Sequence, residues 1–278
     1  MGGMRVVTAI VAIPLVYLSV KYLNPFYFLF IVAMMVLIGQ YEFYRFFYKK
    51  FNSFALLGLS LGFLLLLAFY REEGTPVAKE AVLSMVIFIA LSGFLFLKKD
   101  LQDALAGVSV LVFGVLYVAW TLGHLISLRH LFNGRNLIFF ILIVTWGVDT
   151  GAYYVGKLVG KHKLSPQVSP GKTIEGAIGG VIAALGAAFL ARGWFLPELA
   201  TRNVVLIGLL LGVISQLGDL SESLLKRSAG VKDSGGVFPA HGGMLDRVDS
   251  LIFNIPAFYY YLLYVAPEMT RGSSIIIW

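Results

Sequence analysis

The strongest constraint on this chain is a series of nine apolar stretches, most of them near the roughly 20 residues that a helix needs to cross a bilayer. Apolar residues make up 59% of the chain, and the mean hydropathy of +0.85 lies outside the soluble range. The pattern predicts an all-α fold, a polytopic integral membrane helix bundle with about nine transmembrane segments. The stretches are 1–20, 25–44, 54–70, 81–97, 104–127, 136–156, 173–192, 203–225 and 248–266.

The first stretch also has features of a secretory signal, since Arg5 precedes an apolar run. No A-x-A-like cleavage site follows, so we predict a retained first helix, with a signal or a re-entrant hairpin as the alternatives. We expect one membrane-embedded domain over residues 1–278. Residues 1–135 would supply N-terminal membrane segments, and residues 136–278 the segments and loops that carry the site.

The distribution of lysine and arginine predicts the orientation in the membrane. Most of the 22 Lys and Arg residues fall on one side if that side holds the N-terminus and the loops after the second, fourth, sixth and eighth segments. The positive-inside bias makes that side cytoplasmic. The net charge of +7 is then explained by membrane loops, so we do not expect nucleic acid as a partner. The absence of Cys excludes disulfides and thiolate metal sites.

Ionisable residues are concentrated near the end of the chain, although only 13% of all residues are charged. Charge of this density beside membrane segments usually marks a functional site. Asp219, Glu222, Ser223, Lys226 and Arg227 recur at helical spacing, so they should share one helix face. The charged residues of this region are Asp219, Glu222, Lys226, Arg227, Lys232, Asp233, Asp246, Arg247 and Asp249.

A glycine-rich loop and two aspartates follow that helix. Five glycines and one proline between Ala229 and Gly243 indicate a backbone that approaches something closely. Asp246 and Asp249, three residues apart, open the last apolar stretch, and carboxylates without thiolates favour Mg²⁺. The cations suited to phosphate oxygens are Lys226, Arg227, Lys232 and Arg247. Acids and bases together are what phosphoryl or nucleotidyl transfer requires.

A second polar stretch, Asp149 to Gly176, contains the letters SPGKT. A P-loop would need glycine where Pro166 stands, and no strand is predicted before it, so we reject that interpretation. We predict instead a Lys-rich loop running into a helix, with Ser169 as N-cap and Pro170 at the first helical position. The free N–H groups of such a helix would bind an anion.

The run from Ser223 to Asp249 resembles the complete signature of the phosphatidate cytidylyltransferase (CDP-diacylglycerol synthase) family. The matching positions are Ser223, Lys226, Arg227, Lys232, Asp233, Gly235, Phe238, Pro239, His241, Gly242, Gly243, Asp246, Arg247 and Asp249. The resemblance extends through Asp149 to Gly176, where Asp149, Lys172 and Glu175 match polar positions of the substrate cavity. The resemblance is specific at individual positions in the C-terminal half of the chain. In the N-terminal half it is limited to the hydropathy pattern.

The resemblance implies an enzyme that converts CTP and phosphatidic acid to CDP-diacylglycerol and pyrophosphate. It implies Mg²⁺ on Asp246, Asp249 and Asp219, with Lys226 and Arg227 also in the catalytic group. The substrate-binding residues would be Ser223, Lys232, Asp233, His241, Gly242, Gly243, Arg247, Lys172, Asp149 and Glu175. It also implies a bacterial-type inner or cell membrane, contact with membrane lipid, and an active site facing the cytoplasm; a homodimer is left open.

Simpler interpretations stand beside these assignments. Asp246 and Asp249 could complement a helix dipole, and Asp219 could pair with Lys226 or Arg227. Asp149 could be a structural hydrogen-bond hub. A CTP-dependent polyprenol or other lipid kinase would use a similar charged loop but release CDP. A secondary transporter would also place acids in the membrane, although it should show repeated halves, which we do not find.

Overall fold

The computed structural model describes residues 2–48, 52–71, 79–97, 104–235 and 242–270, with the side chains of residues 2–9 and 11 left aside. Ten α-helices dominate these residues. They are α1 (Gly2–Tyr22), α2 (Pro25–Tyr48), α3 (Ser53–Arg71), α4 (Lys79–Leu97), α5 (Ala104–Gly114), α6 (Thr121–His130), α7 (Gly134–Val159), α8 (Ile174–Phe195), α9 (Thr201–Ser228) and α10 (Leu245–Tyr264). A π-helical turn, Val115–Trp120, joins α5 to α6, and a 3₁₀ turn, Pro267–Met269, follows α10.

The predicted polytopic helix bundle is confirmed, but the count of nine crossings is not. Among the described residues, seven helical segments are long and apolar enough to span a membrane. They are Pro25–Tyr48, Ser53–Arg71, Lys79–Phe96, Ala104–His130, Gly134–Val159, Ile174–Phe195 and Thr201–Ser228. The apolar part of α1 is the shorter Ala12–Tyr22. Helix α10 opens with Asp246, Arg247 and Asp249, which lower its hydropathy.

The chain divides into two compact units. The first contains residues 1–127 and 229–247, and the second contains residues 128–228 and 248–278. In the first unit, buried Tyr44 of α2 donates from its hydroxyl to the Leu111 carbonyl at 3.0 Å. A methyl group at Gly58 or Gly114 would collide with the Tyr44 ring, so these glycines let α3 and α5 pack against α2.

The second unit is built on close contact between α7 and α8. A methyl group at Gly147 would meet the Ala187 side chain, and one at Gly151 would meet the Gly179 carbonyl at 2.8 Å. Small residues are typical of membrane helix interfaces, because they let two backbones approach and gain dispersion contacts that larger side chains would prevent.

The start of α8 differs from the prediction. Ser169–Thr173 is a short strand, β2, which pairs antiparallel with β1 (Lys163–Ser165). Ser169 is therefore not the N-cap and Pro170 is not helical. Thr173 caps the helix, with its Oγ1 accepting from the Gly176 N–H at 3.1 Å. Strand pairing within the loop delays the helix, and this was not visible in the local sequence pattern.

Candidate active site

Four acidic side chains from three helices come together in the second unit. Asp149 lies in α7, Asp219 and Glu222 in α9, and Asp249 near the start of α10. The Asp249 carboxylate is close enough to the other three for their charges to repel. Asp149 and Asp219 repel each other as well. The predicted acidic face of α9 therefore meets acids from two other helices. We call these four residues the acidic cluster.

Two lysines balance part of this charge. The Lys172 Nζ lies 2.6 Å from the Asp219 Oδ2, and Lys226 forms an ion pair with Glu222 one turn earlier in α9. The Glu222 side chain is 1% exposed, so its charge would be costly without a cation. Asp219 thus pairs with Lys172 and not, as the simpler interpretation had it, with a base on its own helix. Counted as ionised, these four acids outnumber the two lysines that pair with them.

The backbone of α9 approaches α10 at the acidic cluster. A methyl group at Gly218 would lie 2.7 Å from the Asp249 carbonyl oxygen and 3.4 Å from the Ser250 Cα. The Ser250 hydroxyl donates to the Asp149 Oδ1 at 3.4 Å. One turn further into α10, the Asn254 side chain donates to the Thr145 hydroxyl at 2.9 Å. Backbone contact and polar bonds together fix the helices that carry the acids.

The acidic cluster suits a hard divalent cation in donor type and in charge. Its donors are carboxylate oxygens, which Mg²⁺ prefers, and the two lysines leave negative charge uncompensated. In the part of the chain that is described, no three Asp, Glu or His side chains already converge in metal-binding geometry. Asp219 and Asp249 are the residues of the second unit that would hold the ion.

Asp246 has a different environment, in the first unit. Its Oδ2 accepts from the Ser234 hydroxyl at 2.7 Å, the Ser234 N–H at 3.0 Å and the Gly243 N–H at 2.8 Å. Asp246 is thus held by three donors of the glycine-rich loop. All three donors precede α10, so the bonding does not decide between the helix-dipole interpretation and metal binding, and metal binding by Asp246 stays a prediction from the motif.

Glu42 of α2 is a site residue that our sequence reasoning did not identify. Its side chain is 2% exposed, and its oxygens accept from the Met244 N–H at 3.0 Å and the Leu245 N–H at 2.9 Å. A signal was present, because Glu42 is the only charged residue in the stretch 25–44. An ionisable residue inside a membrane segment is by itself a reason to suspect a site.

The glycines of the loop are explained by Glu42 and Asp246. A methyl group at Gly243 would lie 2.5 Å from both Glu42 oxygens, and one at Gly235 would lie 2.6 Å from the Glu42 Oε1. Gly242 has a φ of 80°, which disfavours other residues, and it lies against the Asp246 carboxylate. The predicted close approach is therefore present. Its partners in this structure are two carboxylates, and substrate binding by Gly242 and Gly243 stays a prediction.

The other predicted residues have varied surroundings. Glu175 accepts from the backbone N–H groups of Lys161 and His162, and its Oε1 lies 2.6 Å from the His162 Nδ1, so it ties the β-hairpin to α8. Ser223 is half-buried in α9, while Arg227, Lys232, Asp233 and Arg247 are exposed. His241, Phe238 and Pro239 lie outside the described residues.

Comparison with known proteins identifies the family of the chain. The model of the cytidylyltransferase family matches residues 3–265. A phosphatidate cytidylyltransferase of Bacillus subtilis is 35% identical over 93% of this chain and 96% of its own length. Those of Haemophilus influenzae and Synechocystis sp. are each 32% identical, over 94% and 98% of this chain and 98% and 100% of their own lengths.

The fold is a helical membrane bundle, and the relatives are nucleotidyltransferases, so the class of protein is a membrane-embedded nucleotidyltransferase. The match over nearly the whole chain specifies it further: the chain belongs to the cytidylyltransferase family.

Proposed function

We propose that the acidic cluster is where this chain, as a phosphatidate cytidylyltransferase, converts CTP and phosphatidic acid to CDP-diacylglycerol and pyrophosphate. The observation that carries the activity is the similarity to phosphatidate cytidylyltransferases along almost the entire chain. The observation that favours this location is the meeting of four acids and two lysines in the second unit. The activity supplies a lipid precursor for phospholipid biosynthesis.

In the reaction, a phosphate oxygen of phosphatidic acid attacks the α-phosphorus of CTP. A new P–O bond forms, the bond to the β-phosphate breaks, and pyrophosphate leaves with its electron pair. The attacking oxygen is already anionic, so the protein needs no strong general base. It must position two anions and neutralise the charge that develops between them.

The lysines and arginines of the site supply that neutralisation. Lys226 and Lys172 lie beside carboxylates of the acidic cluster, where phosphate groups would bring further negative charge. Arg227 and Arg247 are exposed near the ends of their helices, and the family signature makes them candidates to bind phosphate oxygens. Ser223, Lys232, Asp233 and His241 are proposed to bind substrate on the strength of the family signature.

Magnesium is the proposed cofactor. When bound, Mg²⁺ would offset repulsion among carboxylates and phosphates and polarise the reacting phosphate. Asp219 and Asp249 of the second unit would hold it, since they bring repelling carboxylates close together. The signature adds Asp246 as a third ligand.

The activity is tested with purified protein in detergent, given labelled CTP and either phosphatidic acid or a polyprenol. We expect CDP-diacylglycerol and pyrophosphate with phosphatidic acid and no product with the polyprenol. Release of CDP with phosphorylation of the polyprenol would replace this function by a lipid kinase. Folded protein that turns over neither substrate would exclude both enzymes and favour a transporter.

The active site is proposed to face the cytoplasm, because the positive-inside distribution puts the loops before α8 and α10 there. The chain lacks Cys, so single cysteines can report the side. His162→Cys is suitable, since that side chain is 75% exposed, whereas Ser234 at 6% would report burial. Exposed Ala200, in the connection between α8 and α9, provides the matched control Ala200→Cys.

In intact cells, an impermeant thiol reagent should label Ala200→Cys and spare His162→Cys, and inverted vesicles should give the reverse. Labelling of His162→Cys from outside would overturn the orientation.

A further inference from the structure

We propose that Glu42 is a positioning residue for the reaction: from α2 it fixes the first turn of α10 and thereby the Asp246 carboxylate. The role rests on the proposed function of Asp246, but the geometry that supports it belongs to the first unit alone. No part of the family signature includes Glu42, which lies in the N-terminal half of the chain.

The first argument is the bonding of Glu42 to the start of α10. The two N–H groups that it accepts belong to Met244, just before the helix, and to Leu245, its first residue. The first N–H groups of a helix have no partner within the helix and carry the positive end of its dipole. A carboxylate supplied by another helix satisfies both requirements, so Glu42 acts as the N-terminal cap of α10.

The second argument is that Glu42 and Asp246 share Ser234. The Ser234 hydroxyl lies 3.3 Å from the Glu42 Oε2 and 2.7 Å from the Asp246 Oδ2, and it accepts from the Asp246 N–H at 3.3 Å. One hydroxyl hydrogen serves one carboxylate at a time, and the shorter distance is to Asp246. A change at Glu42 would therefore alter how Ser234 holds Asp246.

The third argument is the absence of space around Glu42. Gly235 and Gly243 approach its oxygens so closely that a methyl group on either would collide with them. Gly235 and Gly243 thus both lie against the carboxylate. A glutamine at position 42 keeps the size but turns an amide N–H₂ toward backbone donors, where it cannot accept. We infer that the negative charge, and not only the volume, holds the loop.

The test compares Glu42→Gln with two matched variants. Glu80→Gln removes an exposed acid from α4, also in the first unit. Gln40→Leu disturbs α2 two residues earlier, where the buried amide lies near the Gly58 and Gly114 carbonyls and away from the loop. Turnover of CTP and phosphatidic acid is measured alongside amide hydrogen exchange over residues 243–249.

Glu42→Gln should lower kcat by about 10-fold to 100-fold, the range typical of residues that orient a ligand-bearing group, with KM for CTP changed less than about threefold. Exchange over residues 243–249 should become at least about tenfold faster in this variant. Glu80→Gln should change neither quantity. Gln40→Leu should accelerate exchange over residues 243–249 no more than it accelerates exchange in the rest of the first unit.

Normal exchange over residues 243–249 in folded Glu42→Gln would overturn the proposal, and so would a kcat within about twofold of the parent. If Glu42→Gln does not fold, Glu42→Asp replaces it, because the shorter side chain withdraws the carboxylate from the Met244 and Leu245 N–H groups, and unchanged exchange over residues 243–249 in that variant overturns the proposal equally. An inactive parent enzyme would count against the proposed function instead, because the exchange measurement does not depend on turnover.

Discussion

The acids of the first unit and those of the second have opposite surroundings. Glu42 and Asp246 are surrounded by N–H and O–H donors of the glycine-rich loop and of the residues where α10 begins. Asp249 lies near other carboxylates and accepts from one backbone N–H, that of Ser250, while Asp219 pairs with Lys172. Carboxylates that accept several hydrogen bonds from the surrounding chain fix a conformation, whereas carboxylates that repel one another need a cation to offset the repulsion. Charged residues in one protein thus serve two physical purposes.

The largest effect should come from removing the divalent cation. EDTA should abolish turnover, because without the cation the acidic cluster lacks its counter-charge. Added Mg²⁺ should restore turnover. In thermal unfolding, Mg²⁺ should raise the midpoint of the parent protein but not that of Asp249→Asn. Full turnover in EDTA would show that the acids of the second unit do not need a cation, and the distinction from the acids of the first unit would be lost.

Neutralising one acid in each unit should separate activity from stability. Asp249→Asn should lower kcat by at least about 100-fold, or about 2.7 kcal/mol in barrier height. It should not lower the unfolding midpoint, because it relieves repulsion. Asp246→Asn should also abolish turnover, and in addition it should destabilise the protein by about 1–3 kcal/mol, since its donors lose a charged acceptor. Turnover and thermal unfolding of both variants are the measurements.

Equal destabilisation by both substitutions would contradict the comparison. More than about a tenth of parent activity in Asp246→Asn would exclude Asp246 as a direct metal ligand.

Removing a lysine from the acidic cluster should have a smaller effect. Lys226→Ala should lower kcat and kcat/KM together by about tenfold, because a positioned cation strengthens its hold as pyrophosphate gains charge. Steady-state kinetics with varied CTP measures this. Lys21→Ala, at an exposed position of α1, is the control. A rise in KM alone would mean that Lys226 binds the ground state and transition state equally.

The smallest effect should come from the packing that supports the acidic cluster. Gly218→Ala places a methyl group against the Asp249 carbonyl, so α9 and α10 must separate slightly and activity should fall by a few-fold. Gly186→Ala in α8 is the matched control, because nothing lies within 4 Å of the added methyl group. Equal activity of the two variants would show that spacing at Gly218 does not matter.

Periodicity was sufficient to predict part of this arrangement. The helical spacing of Asp219, Glu222 and Lys226 placed them on one face of α9, and the structure keeps them together in the acidic cluster. Apolar stretch lengths were sufficient for the helical membrane bundle, because a bilayer tolerates few other folds. Both predictions depend on interactions that are local in sequence.

Other features depend on partners that are distant in sequence. The pairing of Lys172 with Asp219 joins a strand to a helix, and no spacing rule connects them. The N-cap of α8 was misplaced because pairing with β1 holds Ser169 in a strand. Glu42 was overlooked because its donors, the Met244 and Leu245 N–H groups, lie at the start of α10, about 200 residues away and beyond the reach of any local pattern.

The bond between Glu42 and the start of α10 also has a consequence for biosynthesis. The N–H groups that satisfy Glu42 lie 202 and 203 residues further along the chain. A ribosome delivers α2 to the membrane well before these donors are made, so the nascent chain carries an acid in an apolar helix without its final partners. Insertion of such a residue is costly, although less at position 42, toward the end of α2, than the about 2.5–3.5 kcal/mol for a charged residue at mid-membrane. Synthesis of Met244 and Leu245 is therefore the step that relieves an insertion cost incurred near the beginning of translation.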